Sequence, residues 1–146
     1  MSDKKRSVQA QRVIAAKPEA IFDVLADPSR HAEIDGSGSV QKAKDGNPER
    51  LALGAKFGMD MKVGVPYSIK NEVVEFQENR KIAWRHAGHH IWRYELDLID
   101  AGTRVTETFD WAPSRAPWAL ELMRVPERNR KAMEATLVRL AAVVEG

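Results

Sequence analysis

PERNRKAMEATLVRLAAVVEG, residues 126–146, is the segment on which the fold turns. Met133, Leu137, Leu140 and Val144 recur every three to four residues, so a helix would gather them into one apolar stripe. Arg128, Arg130, Lys131, Glu134 and Arg139 fall largely away from that stripe. Pro126 suits a helix entry, where its missing N–H costs nothing. A helix over 127–145 is a rod of about 28 Å, and it cannot bury its stripe alone. It needs a partner surface, which the chain upstream supplies.

From Val40 to Trp111 the apolar period changes to two, the signature of strands. Phe57, Met59, Met61 and Val63 alternate with Lys56, Gly58, Asp60 and Lys62. On 81–86, Ile82, Trp84 and His86 share a face; on 90–98, His90, Trp92, Tyr94, Leu96 and Leu98 do; on 104–111, Val105, Glu107, Phe109 and Trp111 do. Adjacent Val73 and Val74 interrupt the alternation between Tyr67 and Phe76, which predicts a bulge and leaves the faces there unassigned. Toward the start, Val8, Ala10 and Ile14 mark a first strand ending at Ala16, and Pro18 opens a helix carrying Ile21, Val24 and Leu25. Asp27 can cap a second short helix running from Pro28 to about Ile34, ended by DGSGS at 35–39. Residues 113–125, with Trp118, Leu120, Leu122 and Met123, read as a short apolar cover over one end of the sheet. The expected fold is α+β, a curved antiparallel sheet wrapped around a long C-terminal helix, with two short helices after the first strand.

Composition narrows the function classes. With 146 residues the chain fits one domain, preceded by a flexible tail at residues 1–6. Lys plus Arg is 23 against Asp plus Glu 21, interleaved to a net charge of +2, which argues against nucleic acid as the partner. Without cysteine there are no disulfides or thiolate metal sites. No apolar run approaches the roughly 20 residues of a membrane span, and Met1 to Gln11 has no signal-peptide core. The expectation is a soluble, cytoplasmic protein with no cofactor, its oligomeric state open.

Strand pairing can be laid out on paper. Loops at Ala87–His89 and Ala101–Gly102 set Trp84 beside Trp92 and Trp92 beside Trp111, with Ile82, Tyr94 and Phe109 in the next row. The same register puts Arg93 opposite Asp110 on the outer face; a bulge at Gly102 would change the last strand. The aromatic rows are either a large core or the lining of a pocket, since indole and phenol rings offer flat apolar surface with a polar handle. Candidate lining residues are Trp84, Trp92, Trp111, Tyr94 and Phe109, with Phe57, Met59 and Met61 as the facing wall and Trp118 from the cover.

Glu107 lies between Val105 and Phe109 on the apolar face, where an unpaired carboxylate would cost several kcal/mol or hold its proton. It is either a paired core residue or a polar anchor, or general acid/base, facing a ligand, with Tyr94 near enough to hydrogen-bond it. His86 and His90 lie opposite each other at a hairpin end, a position at a cavity mouth. The pair lacks a third local ligand of the kind metals need, so no metal site is assigned. His31 and Asp35 stand at i and i+4 if the second short helix extends that far. No phosphate loop, dinucleotide fingerprint or nucleophile elbow occurs.

The segments VIAAKPEAIFDVLADPSRHAEI (13–34), VVEFQENRKIAW (73–84), GTRVTETFDW (102–111) and the terminal helix, in this order, resemble the START-like polyketide cyclase/dehydrase superfamily. The resemblance covers nearly the whole chain and implies a helix-grip fold with a cavity between sheet and terminal helix. One departure falls at the expected entrance, where many members carry an aromatic and this chain has HAEIDGSG, residues 31–38. Members share a cavity rather than a chemistry. The expectation is therefore a protein that binds a small hydrophobic or amphipathic molecule, whether lipid, polyketide or other aromatic metabolite. The alternative is a cyclase or aromatase in which Glu107, Tyr94 or His90 moves protons; a third class is an interaction protein with a filled core.

Overall fold

A computed structural model of the chain describes residues 6–87 and 89–145, and the statements below concern those residues. Seven strands, β1 Ser7–Ile14, β2 Val40–Ala43, β3 Lys56–Val63, β4 Val65–Gln77, β5 Lys81–His86, β6 Ile91–Ile99 and β7 Gly102–Asp110, make one curled antiparallel sheet. The order is β1-β7-β6-β5-β4-β3-β2, a meander from β2 to β7 whose last edge is taken by the first strand. Between β1 and β2 come α1 Pro18–Leu25, a 3-10 turn Pro28–Arg30 and α2 His31–Ile34; after β7 come α3 Pro117–Leu122 and α4 Val125–Glu145. The fold is the α+β helix grip that the sequence implies. No helix is long and apolar enough to cross a membrane.

The local reasons are those of the residue pattern. Asp27 caps the 3-10 turn, its carboxylate accepting from the Ser29 amide at 3.0 Å, and Pro28 fills the first helical position. Val74 is the extra residue of a bulge in β4, where the register against β5 shifts between Val73 and Glu75. Arg124, at a φ of 59°, separates α3 from α4, so α4 begins two residues before the expected start. Along α4 the stripe is buried at Met133, Leu137 and Leu140, while Val144 packs at its edge. The helix rests chiefly on β1, β7 and α2. Its C-terminal half is seated in the core, and its N-terminal half spans the concave face of the other strands.

Three expectations need correction. The β6–β7 turn is Asp100–Ala101, with Ile99 paired to Gly102, so β7 lies two residues from the expected register. Gly102 makes this turn possible: its φ is 136°, and a Cβ there would stand 2.2 Å from the Ile14 carbonyl oxygen of β1. Trp92 therefore faces Phe109 and not Trp111, and Tyr94 faces Glu107. Arg93 faces Thr108 and not Asp110. Its guanidinium reaches across Ala83 to Glu75, donating from Nε at 2.8 Å and from Nη2 at 2.6 Å.

The second correction concerns the chain start: Arg6 is not free tail, since its Nε donates to Glu121 at 3.0 Å, while residues 1–5 lie outside the described residues. The third concerns the cover. In α3 and the residue after it, Trp118, Leu122 and Met123 are largely exposed, and only Leu120 packs on the core.

Trp111 lies beyond the end of β7, buried, with its indole N–H donating to Glu121 at 2.8 Å. It joins the end of the sheet to α3. Trp111→Phe keeps an aromatic ring but removes this charge-assisted hydrogen bond and part of the buried indole, and is expected to lower stability by about 2 kcal/mol in urea unfolding.

Candidate functional site

Because α4 is seated at one side of the sheet, its N-terminal half and the concave faces of β3 to β6 enclose a cavity of about 750 Å³. The strand wall carries Phe57, Met59 and Met61 from β3, Trp84 and His86 from β5, and His90, Trp92 and Tyr94 at and along β6. Glu107 contributes from β7, and α4 contributes Met133, Ala132 and Thr136 from above. Phe109, Trp111 and Trp118, expected on the lining, are not on this wall. Phe109 lies behind it, buried against Trp92 at a 4.8 Å ring separation, Trp111 belongs to the α3 junction and Trp118 is exposed. Val63, expected to be buried, sits exposed at the rim beside the tight turn of the β3–β4 hairpin.

Two residues of the wall gave little sequence signal. His31, on the four-residue α2, is buried with its ring stacked on Trp84 at 5.1 Å and edge-on to Phe57 at 5.6 Å. Its Nε2 lies 2.8 Å from the Leu25 carbonyl, which can only accept; Nε2 therefore carries the proton and Nδ1 is the acceptor of the neutral ring. Asn71 faces Phe57 on one side and His86 on the other, with its Oδ1 buried and without a hydrogen-bond partner. It shares its face with Tyr67, Ile69 and Val73 ahead of the Val74 bulge, so its inward direction is that of the regular part of β4, which the adjacent valines hid in the sequence.

Glu107 is the electrostatic centre of the wall. It is 3% exposed, and Oε1 has no hydrogen-bond partner. Burial pushes its carboxyl up to about 8; the hydroxyl of Tyr94, directly opposite on β6, works against the rise, and the negative charge of Asp35 adds to it. At neutral pH Glu107 therefore carries its proton. Tyr94 is pushed well above the usual phenol value by burial and by Glu107. The inner cavity thus holds two neutral O–H groups, on facing residues.

The histidines are also held neutral. His86 and His90 stack at 4.5 Å, with the His86 amide donating to the His90 carbonyl at 2.9 Å. Burial lowers both, and the neighbouring His86 charge helps bring His90 to about 4. Burial lowers His31 as well, against opposing effects from the Leu25 carbonyl and Asp27. No group of three or more His, Asp or Glu side chains stands where it could hold a metal ion among the described residues. Because each folded imidazole is depressed below the unfolded value near 6.5, stability from neutral histidine is complete above that pH. It is lost as pH falls toward 4. Urea midpoints at pH 7 and pH 4.5 are expected to show this loss, and a His90→Phe variant to lose less over the same interval.

The mouth is polar. Asp35 accepts from the Ser37 amide at 3.2 Å and the Val40 amide at 3.1 Å, which curls residues 35–40 into a lip. The Gly36 amide ties this lip to α4, donating to Thr136 Oγ1 at 2.8 Å. Arg128, Asn129 and Lys131 of α4, away from the apolar stripe, also border the opening, with both cations exposed.

A curled sheet closed by a C-terminal helix over an aromatic-walled cavity defines a START-like helix-grip protein. Within that class the chain belongs to the polyketide cyclase/dehydrase and lipid transport family, whose profile matches residues 5–145. It is similar to the Mycobacterium tuberculosis protein Rv0088, 37% identical over 137 residues, covering 88% of this chain and 59% of that one. The chain thus spans less than two thirds of that relative's length. Among solved structures, protein CV1439 from Chromobacterium violaceum superposes with a TM-score of 0.75 at 20% identity, covering 97% of this chain and 98% of that one. The Polyketide_cyc-like protein Cgl2372 from Corynebacterium glutamicum does so at 0.66 and 21% identity, covering 99% and 94%. At these identities the likeness is one of fold.

Proposed function

We propose that the protein binds a small hydrophobic or amphipathic molecule, a lipid, polyketide or other aromatic metabolite, between its sheet and α4. The observation that carries this reading is the cavity of about 750 Å³, within the size range of small-molecule sites, walled by Phe57, Met59, Met61, Trp84, Trp92 and Tyr94. Rings and thioethers on this wall offer an apolar molecule dispersion contacts over much of its surface. The test is titration with neutral N-phenyl-1-naphthylamine, whose fluorescence rises in apolar surroundings. Saturable 1:1 binding is expected. Trp92→Ala is expected to weaken it about tenfold through loss of ring contact, whereas Trp111→Phe, away from the wall, leaves it unchanged. Absence of saturable binding would overturn the reading.

A second reading is an enzyme of the cyclase or aromatase kind. What favours it is the convergence of two proton-bearing groups, Glu107 and Tyr94, on facing positions in a largely apolar space. In that reading protonated Glu107 supplies a proton to a carbonyl oxygen during aldol condensation or dehydration, and Tyr94 or His90 assists. Turnover of a linear poly-keto thioester mimic by the wild type, and its loss in Glu107→Gln, is the outcome that would select the enzyme over the carrier.

A further inference from the structure

We infer that the inner end of the ligand carries an uncharged oxygen acceptor, a ketone or aldehyde carbonyl, and that Glu107 receives it as a hydrogen-bond donor. The inference rests on the cavity being a ligand site and goes one step further, to the chemistry of the ligand's buried end. Its basis is geometric. Glu107 is enclosed, lies on the cavity wall, and has one carboxyl oxygen without a partner.

The groups facing Glu107 decide what that oxygen can be. From β6 comes the Tyr94 hydroxyl, and from β1 only Ala10, its partner on the other side. From the segment after α2 comes Asp35, a negative charge, and from α2 the neutral His31. The neutral pair His86 and His90 stands at the far end of β5 and at the start of β6. From α4 come Met133 and Thr136, with Arg128 and Lys131 at the exposed mouth. Arg139 is engaged elsewhere, donating to the Asp35 carbonyl. No cation pairs with Glu107 among the described residues, and the carboxyl near 8 is protonated at neutral pH. Tyr94 satisfies part of the carboxyl, and the remaining O–H has nowhere to donate inside the protein.

A buried donor of this kind is satisfied only when something entering the cavity brings an acceptor. A hydrocarbon tail pushed against it would leave the O–H unpaired. A carboxylate end would be repelled, like Glu107's own charge, by Asp35 through a medium of low dielectric. A carbonyl meets both conditions. The Trp84 and Trp92 rings occupy the adjacent row of the wall, so the atoms next to that carbonyl lie over aromatic surface.

The test uses the full chain and two probes of matched shape, 2-acetylnaphthalene and 2-ethylnaphthalene, measured by tryptophan quenching or calorimetry. At pH 6.5 the ketone is expected to bind about tenfold more tightly than the hydrocarbon. At pH 9.5, with Glu107 ionised and Tyr94 donating to it, the two should converge. Glu107→Gln retains an N–H donor that does not titrate, so the ketone preference persists at both pH values. Glu107→Leu abolishes it at both. Equal affinities for the two probes in the wild type at pH 6.5 would overturn the inference while leaving the cavity as a ligand site. An undiminished ketone preference in Glu107→Leu would also overturn it. Should neither probe bind, the inference and the proposed function fall together.

Discussion

Glu107→Gln is expected to be more stable than the wild type at pH 9, by roughly 4 kcal/mol, and equal to it at pH 4.5. The carboxyl titrates near 4.5 in the unfolded chain and about 8 in the folded one, because burial disfavours its charge. Between those values the folded state holds a proton that the unfolded state has released, so wild-type stability declines as pH rises through the window and levels off above it. Glutamine has the same shape and nothing to ionise, so the alkaline decline disappears with the substitution. Together with the histidines, which weaken the fold on the acid side, the wild type should be most stable near pH 6.5. Urea unfolding of both proteins at pH 4.5, 6.5 and 9 decides the matter. A wild type that keeps pace with the variant at pH 9 would mean that the Glu107 carboxylate is fully compensated, and the account of the inner cavity would be wrong.

The second large effect is expected at Gly36. A Cβ there would stand 2.5 Å from the Thr136 amide nitrogen and 2.6 Å from the Ala132 carbonyl oxygen, both backbone atoms of α4 that cannot turn aside. Gly36→Ala must push the lip off the helix and break the hydrogen bond to Thr136, at a cost of about 3 kcal/mol or more. The lip borders the cavity, so probe affinity should fall with stability. Gly38, two residues on, is the control. Its φ of 75° strains any other residue, but a Cβ there meets open space, so Gly38→Ala should cost only about 1 kcal/mol and leave probe binding intact. Thermal melts and probe titrations of the two variants separate a packing constraint from a conformational one. Equal losses would mean that close approach to α4 is not what Gly36 provides.

Much of the site could be read from the chain because period-two patterning assigns side chains to faces. Trp84, Trp92, Tyr94 and Glu107 were placed inward, and the structure brings them to one wall. The two-residue change of register at the Asp100–Ala101 turn preserved those faces, since side chains alternate with a period of two. It changed the neighbours: Phe109 took the place expected of Trp111, and Glu107 came directly opposite Tyr94. Lining residues from irregular segments were harder to read. His31 sits on a four-residue helix too short to define a face, and Asn71 is a polar residue on the inward face of β4, whose apolar alternation is broken by the Val74 bulge three residues on.

What the sequence by itself determined is the set of elements, the inward faces of β3, β5, β6 and β7 and the helix that covers them, because these depend on local spacing of apolar side chains. The register of the last hairpin was decided only in three dimensions, by Gly102 fitting against the Ile14 carbonyl of β1. So was the cavity itself. α4 is seated on β1 and β7 and stands off from the other strands, and such a gap depends on where a rigid rod comes to rest across a curved sheet. That position is set by contacts between residues far apart in the chain, which no local pattern encodes.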